Sequence, residues 1–102
     1  MILYNVTVIL DEEIETEWLN WMKGEHIPEV MATTCFLSYR MLKVIDSPNE
    51  GATYCMQFIA ENGQKYEEYK HKYAADLQAS YPPQFKDKFV SYRSLMEFVD
   101  QA

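Results

Sequence analysis

Few side chains in this chain of 102 residues combine a reactive type with a suggestive setting. The first is His26, in the run WLNWMKGEHIPEVMAT from Trp18 to Thr33. Imidazole titrates nearest neutral pH, so His26 suits a general acid or base, or a donor that orients a ligand. The alternative is a helix junction, with His26 capping backbone amides or packing on a tryptophan. Glu29 lies three residues on, but two ligands fall short of the roughly three or four of a transition-metal site, so no metal is expected. His71 stands between Lys70 and Lys72 and reads as solvated. Arg40 and Arg93 carry the planar donor fork that clamps carboxylates and phosphates, and the same fork is common at subunit interfaces. Tyr39 and Tyr54 suit the wall of an aromatic pocket, or a core rim where the hydroxyl reaches water.

Other chemistry is missing from the sequence. There is no Gly-rich phosphate loop, C-x-x-C pair, nucleophile elbow or Ser-His-Asp pattern, and no haem or flavin fingerprint. No cofactor is expected. Cys35 and Cys55 fall on adjacent antiparallel strands joined through DSPNEG. Centring that turn on Pro48 and Asn49 sets Cys35 opposite Asn62 and Cys55 opposite Leu42. The two sulfurs then lie beyond the ~7 Å Cα limit for a bridge, and both read as free, partly buried thiols.

The elements that must position these groups follow from periodicity. In YNVTVIL, Tyr4, Val6, Val8 and Leu10 alternate with Asn5, Thr7 and Ile9, a strand pattern. Asp11 is a good N-cap, and Glu12 and Glu13 suit the positive end of a helix. Ile14, Trp18, Trp21 and Met22 recur on one helical stripe, which Lys23 and Gly24 are expected to stop. Pro28 opens a second short helix, with Ile27, Val30 and Met31 inward. CFLSYRMLKVI and ATYCMQFIA form a hairpin around DSPNEG. From Asn62 one helix is expected to carry Tyr66, Tyr69, Tyr73 and Leu77 on one face until Pro82 and Pro83. KFVSYRSLMEF is the last strand. The order β-α-β-β-α-β defines a single α+β domain over residues 1–102, ferredoxin-like, with a four-stranded antiparallel sheet and helices on one face.

The two sheet faces are expected to differ. The hairpin register pairs Tyr39, Met41 and Lys43 with Phe58, Met56 and Tyr54, giving an aromatic and Met-rich face suited to helices. The opposite face is mixed and is assigned Asn5, Arg40, Gln57 and Arg93, as candidates for a polar patch or a dimer interface. A one-residue slip would exchange the sets.

Composition narrows the partners. The formal net charge of −7 and the lack of a basic stripe disfavour nucleic acid and anionic membranes. No apolar run approaches the ~20 residues of a membrane span. The N-terminus MILYNVTVILDEE lacks a basic leader and a cleavage site, so it does not read as a signal peptide, and the cytoplasm is the expected compartment. Aromatic residues make up 15% of this small chain, which suggests further burial in a partner subunit.

YNVTV, WLNWMKGEHIPEVMAT and FVSYRSLM together resemble a bacterial family of uncharacterised function in the dimeric α/β-barrel superfamily, over nearly the whole chain. The helix–His–x–Pro turn also resembles turns in antibiotic-biosynthesis-type monooxygenases and EthD-like proteins. The resemblance implies a homodimer whose two sheets face each other, with pockets between sheet and helices. It implies no activity, because this fold hosts enzymes and inert relatives alike. Two functions follow as expectations. One is a homodimer that binds a small organic molecule near His26, with Tyr39 and Tyr54 as further ligand-binding candidates. The other is a non-catalytic dimerisation or interaction domain, whose would-be pocket is packed solid by Trp18, Trp21 and Met22.

Overall fold

The computed structural model describes the whole chain, Met1 to Ala102. Strand β1 covers Ile2–Leu10. Asp11 then turns the chain into helix: its carboxylate accepts the Glu13 N–H at 2.9 Å. One 3-10 turn, Glu12–Ile14, leads into α1, Glu15–Trp21. Lys23 and Gly24 do not stop it. The chain runs through a π-helical turn, Met22–His26, straight into α2, Ile27–Ala32. Glycine ends a helix by taking left-handed backbone, and Gly24 does not take it. Pro28 accounts for the wide turn instead. In a regular helix its ring would collide with the carbonyl four residues back, that of Gly24. Widening relieves the clash, and the Ile27 N–H bonds across five residues to the Met22 carbonyl.

Strands β2 (Ser38–Lys43) and β3 (Ala52–Ala60) form the hairpin in the expected register, with Arg40 opposite Gln57 and Leu42 opposite Cys55. Strand β2 is shorter than expected. Cys35 and Phe36 are both buried, and consecutive inward side chains are incompatible with strand alternation. Both cysteines are free. Gly51, at φ 85°, is required where the hairpin returns: a Cβ there would run into the Leu10 carbonyl.

Asn62 caps α3, Gly63–Lys72, through its Oδ1 and the Lys65 N–H at 3.0 Å. The helix expected to continue breaks at Tyr73 (φ −126°), and α4 covers Ala74–Ala79. Tyr73 leaves the stripe and Ala74 is buried in its place. A 3-10 turn at Pro83–Phe85 precedes β4, Phe89–Glu97.

The sheet is antiparallel throughout, in the order β2-β3-β1-β4, which is the ferredoxin-like α+β plan. The core lies between its inner face and the helices, with Trp18, Phe85, Leu10, Ile27 and Val30 almost wholly enclosed. No helix is long and apolar enough to cross a membrane.

Candidate functional site

Packing on the inner face is incomplete. Above the β1–β4 side of the sheet, between the helices, lies a cavity of about 60 Å³. Thirteen of its seventeen lining residues are hydrophobic; the others are His26, Gln78, Ser91 and Arg93.

Arg93 is here because of strand register. Strand β4 sets Arg93 opposite Val6 and Ser91 opposite Val8, and directly opposed residues share a face. Arg93 therefore stands with Tyr4, Val6 and Val8 beneath the helices, and not with Asn5 on the mixed face. Residue types misled the assignment. Both alternating sets of β4, Phe89-Ser91-Arg93-Leu95 and Val90-Tyr92-Ser94-Met96, mix polar and apolar residues, so only pairing decides. The Arg93 Nε donates to the Tyr4 hydroxyl at 3.2 Å, and Nη1 donates to the Ser91 Oγ at 3.3 Å. Arg93 is exposed at the cavity rim and takes part in no ion pair. None of the lining residues is acidic.

The π turn delivers His26. It makes no side-chain capping bond, so the capping role does not hold. Its ring stacks on Trp21 at 4.8 Å between centroids, and Trp21 in turn sets an edge against Phe85. Nδ1 of His26 is buried without a hydrogen-bond partner. Burial, and then the nearby Arg93 charge, pull the imidazole pKa below its ordinary value. Burial likewise pushes the phenols of Tyr4 and Tyr69 upward, against the opposing pull of Arg93. At neutral pH the cavity thus carries one positive charge, on Arg93, among neutral rings.

The other expected site residues lie elsewhere. Tyr54 is buried, and its hydroxyl donates to Glu15 Oε2 at 2.5 Å, an oxygen that also takes Lys43 Nζ at 2.9 Å. These bonds, with Tyr54 first, hold the Glu15 carboxyl below the usual range. They tie α1 to the hairpin. Tyr39 is exposed on the edge strand, with its ring near Phe58. Neither tyrosine lines the cavity. Asn5, Arg40 and Gln57 do come together, on the uncovered face. Arg40 Nε donates to Gln57 Oε1 at 2.6 Å, and Gln57 Nε2 donates to Asn5 Oδ1 at 3.2 Å. Asn5 Nδ2 then donates to Thr7 Oγ1 at 2.9 Å. No three His, Cys, Asp or Glu side chains assemble as a metal-binding group.

Sequence reasoning missed Tyr4, Ser91 and Gln78 as cavity residues. For Tyr4 a signal exists: a lone hydroxyl among Val6, Val8 and Leu10 on an inward stripe needs a partner once buried. Ser91 depends on the β4 register, and Gln78 on the break at Tyr73.

An α+β sheet with helices on one face and a mainly apolar cavity beneath them places the chain in the ferredoxin-like class. Within it the chain belongs to DUF4286, a domain of unknown function, whose family model matches residues 1–99. No curated protein matches the chain significantly. Among solved structures it is similar to an EthD family protein from Bacillus halodurans C-125, at 8% identity and a TM-score of 0.66, covering 96% of this chain and 99% of that one. It is also similar to two dimeric ferredoxin-like proteins from uncultured marine organisms. One has 16% identity and a TM-score of 0.65, with 100% and 98% of the two chains covered. The other has 11% identity and a TM-score of 0.59, with 99% and 96% covered.

Proposed function

We propose that this chain is a cytoplasmic bacterial homodimer that binds a small organic molecule in the cavity beside His26. The buried, unpartnered Nδ1 of His26 carries the ligand reading. Leaving such a group unpaired costs about 1–3 kcal/mol, and an occupant whose polar atom the ring turns to meet removes that cost. Trp18 and Met22 are buried and Trp21 half-buried, yet together they leave the space beside His26 unfilled. That space supports the ligand reading over the alternative of a solidly packed interaction domain. Metabolite mass spectrometry on protein purified from its native host tests the reading. A small molecule should be released on denaturation, and it should be absent when Val6→Phe fills the cavity. No such molecule from the wild type would favour the interaction domain.

The homodimer rests on the uncovered sheet face. Tyr92 is 59% and Val90 53% exposed there, with Leu42 and Met96 also open, an apolar area that suits a second copy. The two similar marine proteins are themselves described as dimeric. Analytical ultracentrifugation should give twice the 12.1 kDa of one chain. Tyr92→Glu should weaken association at least about tenfold, since it buries an unpaired charge at the interface. A wild type that sediments at one chain's mass would overturn the dimer.

A further inference from the structure

We propose, building on the cavity reading above, that the ligand is a short-chain organic acid that binds as a monoanion, its carboxylate on Arg93 and its apolar end among the rings and valines. Three observations converge. Arg93 has no carboxylate partner, although acidic residues outnumber basic ones by sixteen to nine in the chain. Its Nε and Nη1 are held by Tyr4 and Ser91, and those neutral partners orient the guanidinium without cancelling its charge. His26 lines the same cavity, and its Nδ1 has no partner. As the Nδ1–H tautomer it is a donor, matching the other oxygen of a carboxylate.

Charge and size select the class. One cation at the rim is neutralised by one negative charge, whereas a phosphate dianion would leave one charge without a partner beside the apolar lining. The lining also holds no lysine and no glycine, the residues by which phosphate sites commonly spread that charge. Its volume of about 60 Å³ is well below the ~150 Å³ that admits a benzene ring. An acid of about three carbons fits, and an aromatic acid does not. With Arg93 at a wet rim, the expected affinity is weak, in the ~mM range.

NMR titration at constant ionic strength tests this with propionate, propionamide, benzoate and inorganic phosphate. Propionate should give saturable shifts at the Trp21 indole, the His26 ring and the Arg93 side chain. Propionamide and benzoate should each bind at least about tenfold more weakly, the amide because it forgoes the charge-assisted bonds. Arg93→Gln should lose about tenfold in propionate affinity with its amide spectrum otherwise preserved, and Arg93→Lys should retain part of the binding. Equal binding of propionamide and propionate would overturn the anion assignment and leave the cavity reading standing. Tighter binding of phosphate would overturn the carboxylate class. If neither propionate nor propionamide perturbs these residues, both readings fall. The comparison between amide and acid needs no variant, so a misfolded Arg93→Gln would not rescue the proposal.

Discussion

The two faces of the sheet each hold one arginine, and the two are treated in opposite ways. On the uncovered face Arg40, Gln57, Asn5 and Thr7 form a continuous chain of hydrogen bonds across β2, β3 and β1. Each donates to or accepts from the next. On the helix-covered face Arg93 bonds to two hydroxyls, and His26 keeps a buried nitrogen without any partner. A chain of partnered groups serves stability and alignment, because it leaves none of its buried polar side-chain atoms without a partner. A buried site left open has room for another molecule to complete it. On the proposed reading, polarity alone does not mark a binding face; unsatisfied polarity does.

The largest effect that sharpens this contrast concerns the two tryptophans of the inner face. Both line the cavity, but Trp18 is 1% exposed and packs on Tyr54, whereas Trp21 is only half-buried. Trp18→Ala should cost about 3–5 kcal/mol in urea unfolding, as for a fully enclosed aromatic. Trp21→Ala should cost no more than about 2 kcal/mol, because part of its ring already meets solvent in the folded chain. Equal losses would mean that Trp21 is as fully enclosed as Trp18.

Next comes the closed network. Gln57→Ala removes the donor to Asn5, which is only 7% exposed, and the acceptor for Arg40. It should destabilise the fold by about 1–2 kcal/mol, mainly through the stranded Asn5 carbonyl oxygen. Arg40→Ala, whose loss leaves water free to reach Gln57, should cost under about 1 kcal/mol. Reversal of that order in thermal melts would show that the chain is anchored at Arg40, at the sheet edge, and not at Asn5 in its middle.

The sequence made the scaffold legible and the site only half legible, for physical reasons. Alternation in β1 and the turn residues around Pro48 specify strand direction and hairpin register directly. Asp11 and Asn62 declare their helix starts by type. The site depends on longer-range facts. Arg93 reaches the cavity through the β1–β4 pairing, which no turn residue specifies, since α3 and α4 intervene between β3 and β4. The π turn arises from the clash of Pro28 with a carbonyl four residues earlier, and Gly24 conceals it by looking like a helix stop. His26 was singled out by its chemistry, but its stacking on Trp21 follows from that wide turn. Tyr39 and Tyr54 illustrate the converse error. Ring type suggested a pocket, while the Glu15–Lys43 cluster claimed Tyr54 for the fold and the edge position left Tyr39 in water.

The smallest effect is the most diagnostic of the open face. At pH 7.5 His26→Asn should change stability by no more than about 1 kcal/mol, since the lost ring stack is partly offset by removing an unpaired nitrogen. The difference should then depend on pH in one direction. In the folded chain the His26 pKa lies below its ordinary 6.5, because burial and Arg93 disfavour the imidazolium. Below pH 6.5 the unfolded chain takes up this proton first, so wild-type stability falls as pH drops from there through the folded pKa. Above 6.5 both states are neutral and the contribution is constant. His26→Asn lacks the term, so it should lose less stability than wild type between pH 7.5 and 5.5. The carboxyls of Glu15 and Glu68, also shifted downward, titrate below this window. Parallel slopes for wild type and His26→Asn would place the imidazole in water, and the unfinished face would then be no more than a gap in packing.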